Sequence, residues 1–232
     1  MGALYRAGES KIRPGVYRRY ENVGTSSIPG AVYGLFAVTV TADFGPLDTV
    51  STFEPDQINE LKEMYGTSGT VDAALALFDG GATKVHVYRL GSGGTVATGD
   101  IKTSDDAVLA TVSTKYPTAG NYNITIKEKL DDATVKQIVV YLDTTLLETI
   151  EYAVSEDEKD AIVSAINADS KYLSAKAGEG TGAATAVANS ALTGGTAPTV
   201  NTESYSAAFT AFEAFKWNMM VLDTTDTAVH AL

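Results

Sequence analysis

The sequence predicts an α+β fold: an α/β core interrupted by an inserted, mostly antiparallel β domain, with an extended N-terminal arm. Three observations predict it. A strand, two helices and a strand follow one another before residue 91. Short alternating segments fill residues 107–153. A helix and an apolar strand then return at 202–223. Two stretches rich in glycine, alanine and threonine, near 91–100 and 178–202, bracket the middle block and read as flexible joints. The boundaries that follow are an arm at 1–22, the first part of the core at 23–92, the insertion at 93–200 and the return to the core at 201–232.

Each element has its own local reason. "AVYGLFAVTVTADFGP" (31–46) reads as a strand closed by a Gly-Pro turn. In "FEPDQINELKEMYG" (53–66), Pro55 suits a first helical turn, Asp56 faces the positive helix end and Gly66 stops the helix. Ile58, Leu61 and Met64 or Tyr65 share a face. "TVDAALALFD" (70–79) is a second short helix and "TKVHVYRL" (83–90) an alternating strand. "AVLATVS" (107–113), "YNITIKEKL" (122–130), "KQIVVYLD" (136–143) and "LLETIEYA" (146–153) suit an antiparallel sheet. A helix over "SEDEKDAIVSAINA" (155–168) has Ser155 and Glu158 at capping-box spacing and Ile162, Val163 and Ile166 as its buried stripe. "KYLSAKA" (171–177) is a further strand. "TESYSAAFTAFEAFKWN" (202–218) is a long helix with Tyr205, Ala208, Phe209, Phe212 and Phe215 on its aromatic face. "MMVLD" (219–223) reads as a buried parallel strand. The final "DTTDTAVHAL" starts a helix capped by Asp226 and has no visible packing face, so a longer protein is expected.

Composition narrows the function. The chain has 232 residues, 44% of them hydrophobic, and no cysteine, which excludes disulfides and thiolate metal sites. No apolar run reaches the roughly 18 residues that a membrane helix needs, and no signal peptide is legible. The net charge is -12. Residues 1–20 hold five cations (Arg6, Lys11, Arg13, Arg18, Arg19) against Glu9, a net charge of +4, so the remainder carries -16. So acidic a body repels nucleic acid.

No arrangement of residues asks for catalysis. His86 and His230 lack partners at metal-ligand spacing. "GEGTG" (178–182) departs from a dinucleotide loop at its third glycine, and "GSGG" (91–94) lacks the lysine and hydroxyl of a phosphate-cradling loop. The acidic run "SEDEKD" (155–160) reads as helix-start charge on a solvated face. The expectation is a protein that is not an enzyme and has no cofactor, catalytic residue or metal site.

The arm is what remains to be explained. Arg13, Pro14, Gly15, Val16, Tyr17, Arg18 and Arg19 form a basic, strand-like segment whose backbone groups need a partner. The edge of a sheet in another copy would supply one, with charge favouring the contact. Such head-to-tail exchange builds rings or helical filaments.

At these residues a family resemblance enters. "KIRPGVYRRYENV" (11–23) resembles the N-terminal arm of contractile tail sheath proteins of bacteriophages and phage-tail-like particles. "GLFAVTVTADFGPLD" (34–48) and "ALALFDGGATKVHVYRL" (74–90) resemble that family's first core strand, helix, glycine pair and second strand. "KYPTAGNYNITI" (115–126) resembles the start of its inserted domain. "ALTGGTAPTVNTESYSAAFTAFEAFKWNMMVLDTTD" (191–226) resembles its return to the core. Thr118 stands where glycine is frequent, and Arg18-Arg19 where acids are common. The resemblance implies a structural subunit assembling helically around the tail tube and contracting to drive it through a cell envelope. It implies copies of itself, the tube protein, and baseplate and tail terminator proteins as partners, without nucleic acid or membrane insertion. It implies a place in the virion tail of a phage or prophage, or in a phage-tail-like particle, after synthesis in the bacterial cytoplasm. A surface or adhesion module that binds through the β domain is the alternative reading; a small α/β enzyme using the 178–182 loop is a third.

Overall fold

In the computed structural model, residues 34–67 and 69–232 are described. The first part of the chain builds β1 (Leu35–Val40), β2 (Val50–Phe53), a 3-10 turn (Pro55–Gln57), α1 (Ile58–Tyr65), α2 (Val71–Asp79) and β3 (Lys84–Arg89). The last part adds α4 (Thr202–Phe212), β11 (Met219–Val221) and α5 (Thr227–His230). They meet in one sheet of order β11-β1-β3-β2, in which β1 is parallel to β3 and β11, and β2 is antiparallel to β3.

Strand alternation divides this sheet's side chains between two cores. Val38, Val40, Val85 and Val87 pack with Leu61, Tyr65, Val71, Ala74 and Phe78 of α1 and α2. Ala37 and Tyr88 point the other way and pack with Tyr205, Ala208 and Phe212 of α4 and Val229 of α5. Helices on both faces of a largely parallel sheet are the α/β core that the sequence predicts.

Between these parts lie β4 (Thr98–Lys102), β5 (Val108–Thr114), β6 (Tyr122–Lys129), β7 (Asp132–Leu142), β8 (Thr145–Ala153), α3 (Lys159–Asp169), β9 (Leu173–Ala177) and β10 (Val187–Ala191). They form two antiparallel sheets, β10-β6-β7-β8 and β4-β5-β9. Ile101, Leu109, Val112, Ile124, Ile126, Ile138 and Val140 fill a separate core with Ile162 and Ile166 of α3.

Several expectations need correction. The stretches at 91–100 and 178–202 are not flexible joints. Ser92, Thr95 and Thr98 pair antiparallel with Thr199, Thr196 and Thr193, so the two crossings run as one ladder; β4 starts at the end of the first stretch and β10 lies within the second. Gly195 in "LTGG" is needed there, because a Cβ would meet the Thr118 carbonyl oxygen at 2.3 Å. The aromatic helix stops at Phe212 instead of 218. The Phe212 carbonyl accepts from Phe215 N and from the Trp217 indole, and Phe215 leaves the helix to lie over His86, ring centroids 5.0 Å apart. β11 is parallel as expected but is an edge strand, with Met219 58% exposed. The last helix does have a packing face, through the buried Val229, and Asp226 caps it by accepting from Ala228 N.

Candidate assembly interface

The β11 edge is fixed from both ends. Asn218 exchanges hydrogen bonds with Leu35 where the strand begins. Just beyond its last residue, the Asp223 carboxylate accepts from Thr39 Oγ1 (3.1 Å), Thr70 Oγ1 (3.1 Å) and Tyr205 Oη (3.0 Å), tying β1, the start of α2 and α4 together. Burial and this carboxylate push the Tyr205 phenol up to about 12.

On the opposite edge, β2 is held through His86. Its Nδ1 lies 2.8 Å from Thr52 Oγ1 and its Nε2 lies 3.2 Å from the Lys216 carbonyl. Burial lowers the imidazole pKa, partly opposed by the Lys216 contact. His86 therefore ties a strand to a turn. The edge backbones of β2 and β11 have no strand partner among the described residues, so both present groups to which a strand could add.

A buried arginine stands between the core sheet and the β-rich layers. Arg89 closes β3, has no solvent exposure, and spends its guanidinium on three carbonyls: Nε to Ala42 (2.9 Å), one terminal nitrogen to Gly45 (2.6 Å), the other to Pro117 (2.9 Å). Beside it, Phe44 enters a ring cluster with Tyr116, Tyr122 and Tyr172 at centroid distances of 5.2, 5.7 and 5.5 Å. Lys171 Nζ reaches Glu63 on α1 at 2.5 Å.

This architecture is similar to that of two solved structures. One is the sheath tail protein of Desulfitobacterium hafniense, at 23% identity and a TM-score of 0.63, covering 94% of this chain and 47% of that one. The other is the sheath tail protein of Listeria innocua, at 21% identity and a TM-score of 0.62, covering 85% of this chain and 42% of that one. The chain has the fold of the sheath tail proteins. It spans less than half the length of either. No protein-family model matches it, and no curated protein does.

Within this sheath-tail fold, the residues singled out from the sequence fare unevenly. Arg13, Pro14, Gly15, Val16, Tyr17, Arg18 and Arg19 lie outside the described residues. His230 rests its Nε2 3.0 Å from the Thr224 carbonyl at the other end of its own short turn. Among the described residues no group of three or more His, Asp or Glu side chains could hold a metal. Also among them, no helix is long and apolar enough to cross a membrane. The glycine loop at 178–182 lies on β5: Gly178 N bonds to the Leu109 carbonyl, Gly180 N bonds to the Val108 carbonyl, and a Cβ on Gly178 would strike the latter at 2.2 Å. Gly178 and Gly180 serve close packing, and the loop opens no helix.

The acidic run at 155–160 holds the main surprise. Ser155 does not cap α3; it donates to the Asp157 carbonyl, and the helix starts after Glu158. Glu158 is fully buried instead of solvated. Its Oε2 accepts from Lys136 Nζ (3.0 Å), Ala184 N (2.9 Å) and Tyr152 Oη (3.3 Å). Its Oε1 lies 2.9 Å from the same Nζ without a well-aligned hydrogen bond. Burial beside this carboxylate drives the Tyr152 phenol far above its ordinary value. The signal was the phase of β7, in which Lys136 shares its face with the buried Ile138 and Val140.

Proposed function

We propose that the chain is a portion of a structural subunit of a contractile tail sheath, in a bacteriophage or phage-tail-like particle. The observation that carries this reading is the likeness of fold across 94% of the chain, core sheet and β-rich layers included. In this reading, residues 23–92 and 201–232 form the core domain, residues 93–200 an inserted domain, and residues 1–22 an arm. Copies assemble helically around a tail tube between a baseplate and a terminator. Contraction of the lattice drives the tube through the envelope, without a nucleotide or cofactor. The arm, through Arg13–Arg19, adds a strand to a neighbour's core sheet, for which β2 and β11 offer edges.

The test is sedimentation velocity of the full gene product carrying this chain, with and without residues 1–20. The reading expects large assemblies from the first and their loss from the second. Assemblies unchanged by the deletion contradict the arm exchange. The absence of any assembly from the intact product contradicts the sheath role.

A further inference from the structure

The two oxygens of the buried Glu158 carboxylate have unequal surroundings. Oε2 accepts from Ala184 N (2.9 Å), Tyr152 Oη (3.3 Å) and Lys136 Nζ (3.0 Å). Oε1 has only the same Nζ, at 2.9 Å, and no aligned hydrogen bond among the described residues. A nitrogen this close to both oxygens stands in contact with Cδ, the carbon that joins them. Nζ also donates to the Ala184 carbonyl (2.9 Å), so Ala184 holds the carboxylate through its N–H and the amine through its C=O. Glu158 has no solvent exposure, and Tyr152 and Ala184 belong to the same apolar core as Ile138 and Ile162. The Tyr152 phenol, driven far above its ordinary value by burial and then by the Glu158 charge, stays protonated and remains a donor.

We propose that Lys136 and Glu158 are a self-modification site, at which the ion pair of the newly folded chain condenses to an intramolecular amide between Nζ and Cδ. The step balances without a co-reactant. A proton passes from Nζ to Oε1, which a dry site favours because it removes two buried charges. The freed lone pair of Nζ attacks Cδ, and negative charge gathers on Oε2. Ala184 N–H and Tyr152 O–H already point at that oxygen, as the donors of an oxyanion hole do. A second proton moves from Nζ to Oε1, the Cδ–Oε1 bond breaks, and Oε1 leaves as water. An open cleft of about 330 Å³ beside Lys136 and Ala184 gives that water a way out. The amide inherits its partners: its N–H bonds to the Ala184 carbonyl, its oxygen to Ala184 N and Tyr152 Oη. Groups held in contact act at effective concentrations of about 10⁵ M or more, which favours condensation inside the fold. The bond closes residues 136–158 into a loop and ties β7 to the start of α3. Such a tie restricts the unfolded chain as a disulfide does, in a protein without cysteine. It is independent of the assembly reading above.

Mass spectrometry tests this on the unaltered full gene product. The protein is incubated for days at neutral pH, sampled at intervals, denatured and digested with trypsin. Without the bond, trypsin cuts after Lys136 and releases residues 130–136 and 137–159 separately. With it, Lys136 resists cleavage and residues 130–159 emerge as one peptide, lighter than its sequence by one water. The expected result is that this peptide accumulates with time as the two shorter ones decline. Cleavage after Lys136 throughout the incubated sample overturns the proposal. So does a water lost elsewhere, as at Asp79-Gly80, because that leaves the Lys136 site open to trypsin. Tyr152→Phe, checked for an unchanged fold by circular dichroism, keeps the packing and removes one donor from Oε2. It should slow the loss of water about tenfold or more. An unchanged rate in that variant contradicts the oxyanion role given to Tyr152.

Discussion

At the scale of single residues, three buried polar groups decide the most. Removing one partner of a buried ion pair leaves the other charge uncompensated, which costs about 3–5 kcal/mol. Lys136→Met should therefore destabilise the protein by that amount in urea denaturation. Adding Glu158→Gln should recover most of the loss, since the amide can still accept from Ala184 N. Arg89 poses the same problem with carbonyls in place of a carboxylate. Arg89→Met strands the carbonyls of Ala42, Gly45 and Pro117, and a loss of about 3 kcal/mol or more is expected from charge-assisted bonds of this kind. His86 sets a pH dependence whose sign follows from its lowered pKa. The unfolded chain takes up the proton first. The contribution of His86 is thus complete above the ordinary value of 6.5 and declines as pH falls below it. Chemical denaturation between pH 7.5 and 5.5 should show this decline, and His86→Gln should flatten it.

At the scale of elements, a cap that the sequence reading did not name and one that it expected separate sharply. Asn201 is a working N-cap: its side chain accepts from Ser204 N, and the Ser204 side chain answers to the Asn201 backbone. Asn201→Ala should cost about 1 kcal/mol. Ser155→Ala should cost almost nothing, because Ser155 lies outside α3. Thermal denaturation of the pair checks both. The same contrast shows how far the sequence could be read. β1, β3 and β5 to β9 were legible because each is rich in apolar and β-branched residues, alternating in strands such as β3 and β6 and nearly continuous in β1. β2 and β4 were not, being short or holding glycine and aspartate inside the strand. β10 is masked by its bulge, where Asn189 takes a φ of 51°. The crossing ladder escaped because threonine pairs it, and threonine-rich, glycine-rich text looks like a linker. Glu158 escaped for a related reason, since one buried acid inside six polar residues has no local mark of its own. Its partner Lys136 did have one, in the parity of β7.

At the scale of the whole molecule, the layered core and the antiparallel insertion were legible because each layer has its own periodicity. What joins them was not. Arg89 and Pro117, and likewise Phe44 and Tyr116, come from separate segments, and only folding brings each pair into contact. The proposed arm exchange shows the same limit: charge asymmetry marks the arm in the sequence, whereas the open edges of β2 and β11 exist only once the sheet has formed.

The central claim is that this fold serves a sheath, and electron microscopy of the concentrated full gene product tests it most directly. The account predicts striated tubes or stacked rings. Featureless monodisperse particles, persisting when the tail tube protein is co-expressed, would contradict it and favour a surface module that binds through its β-rich layers.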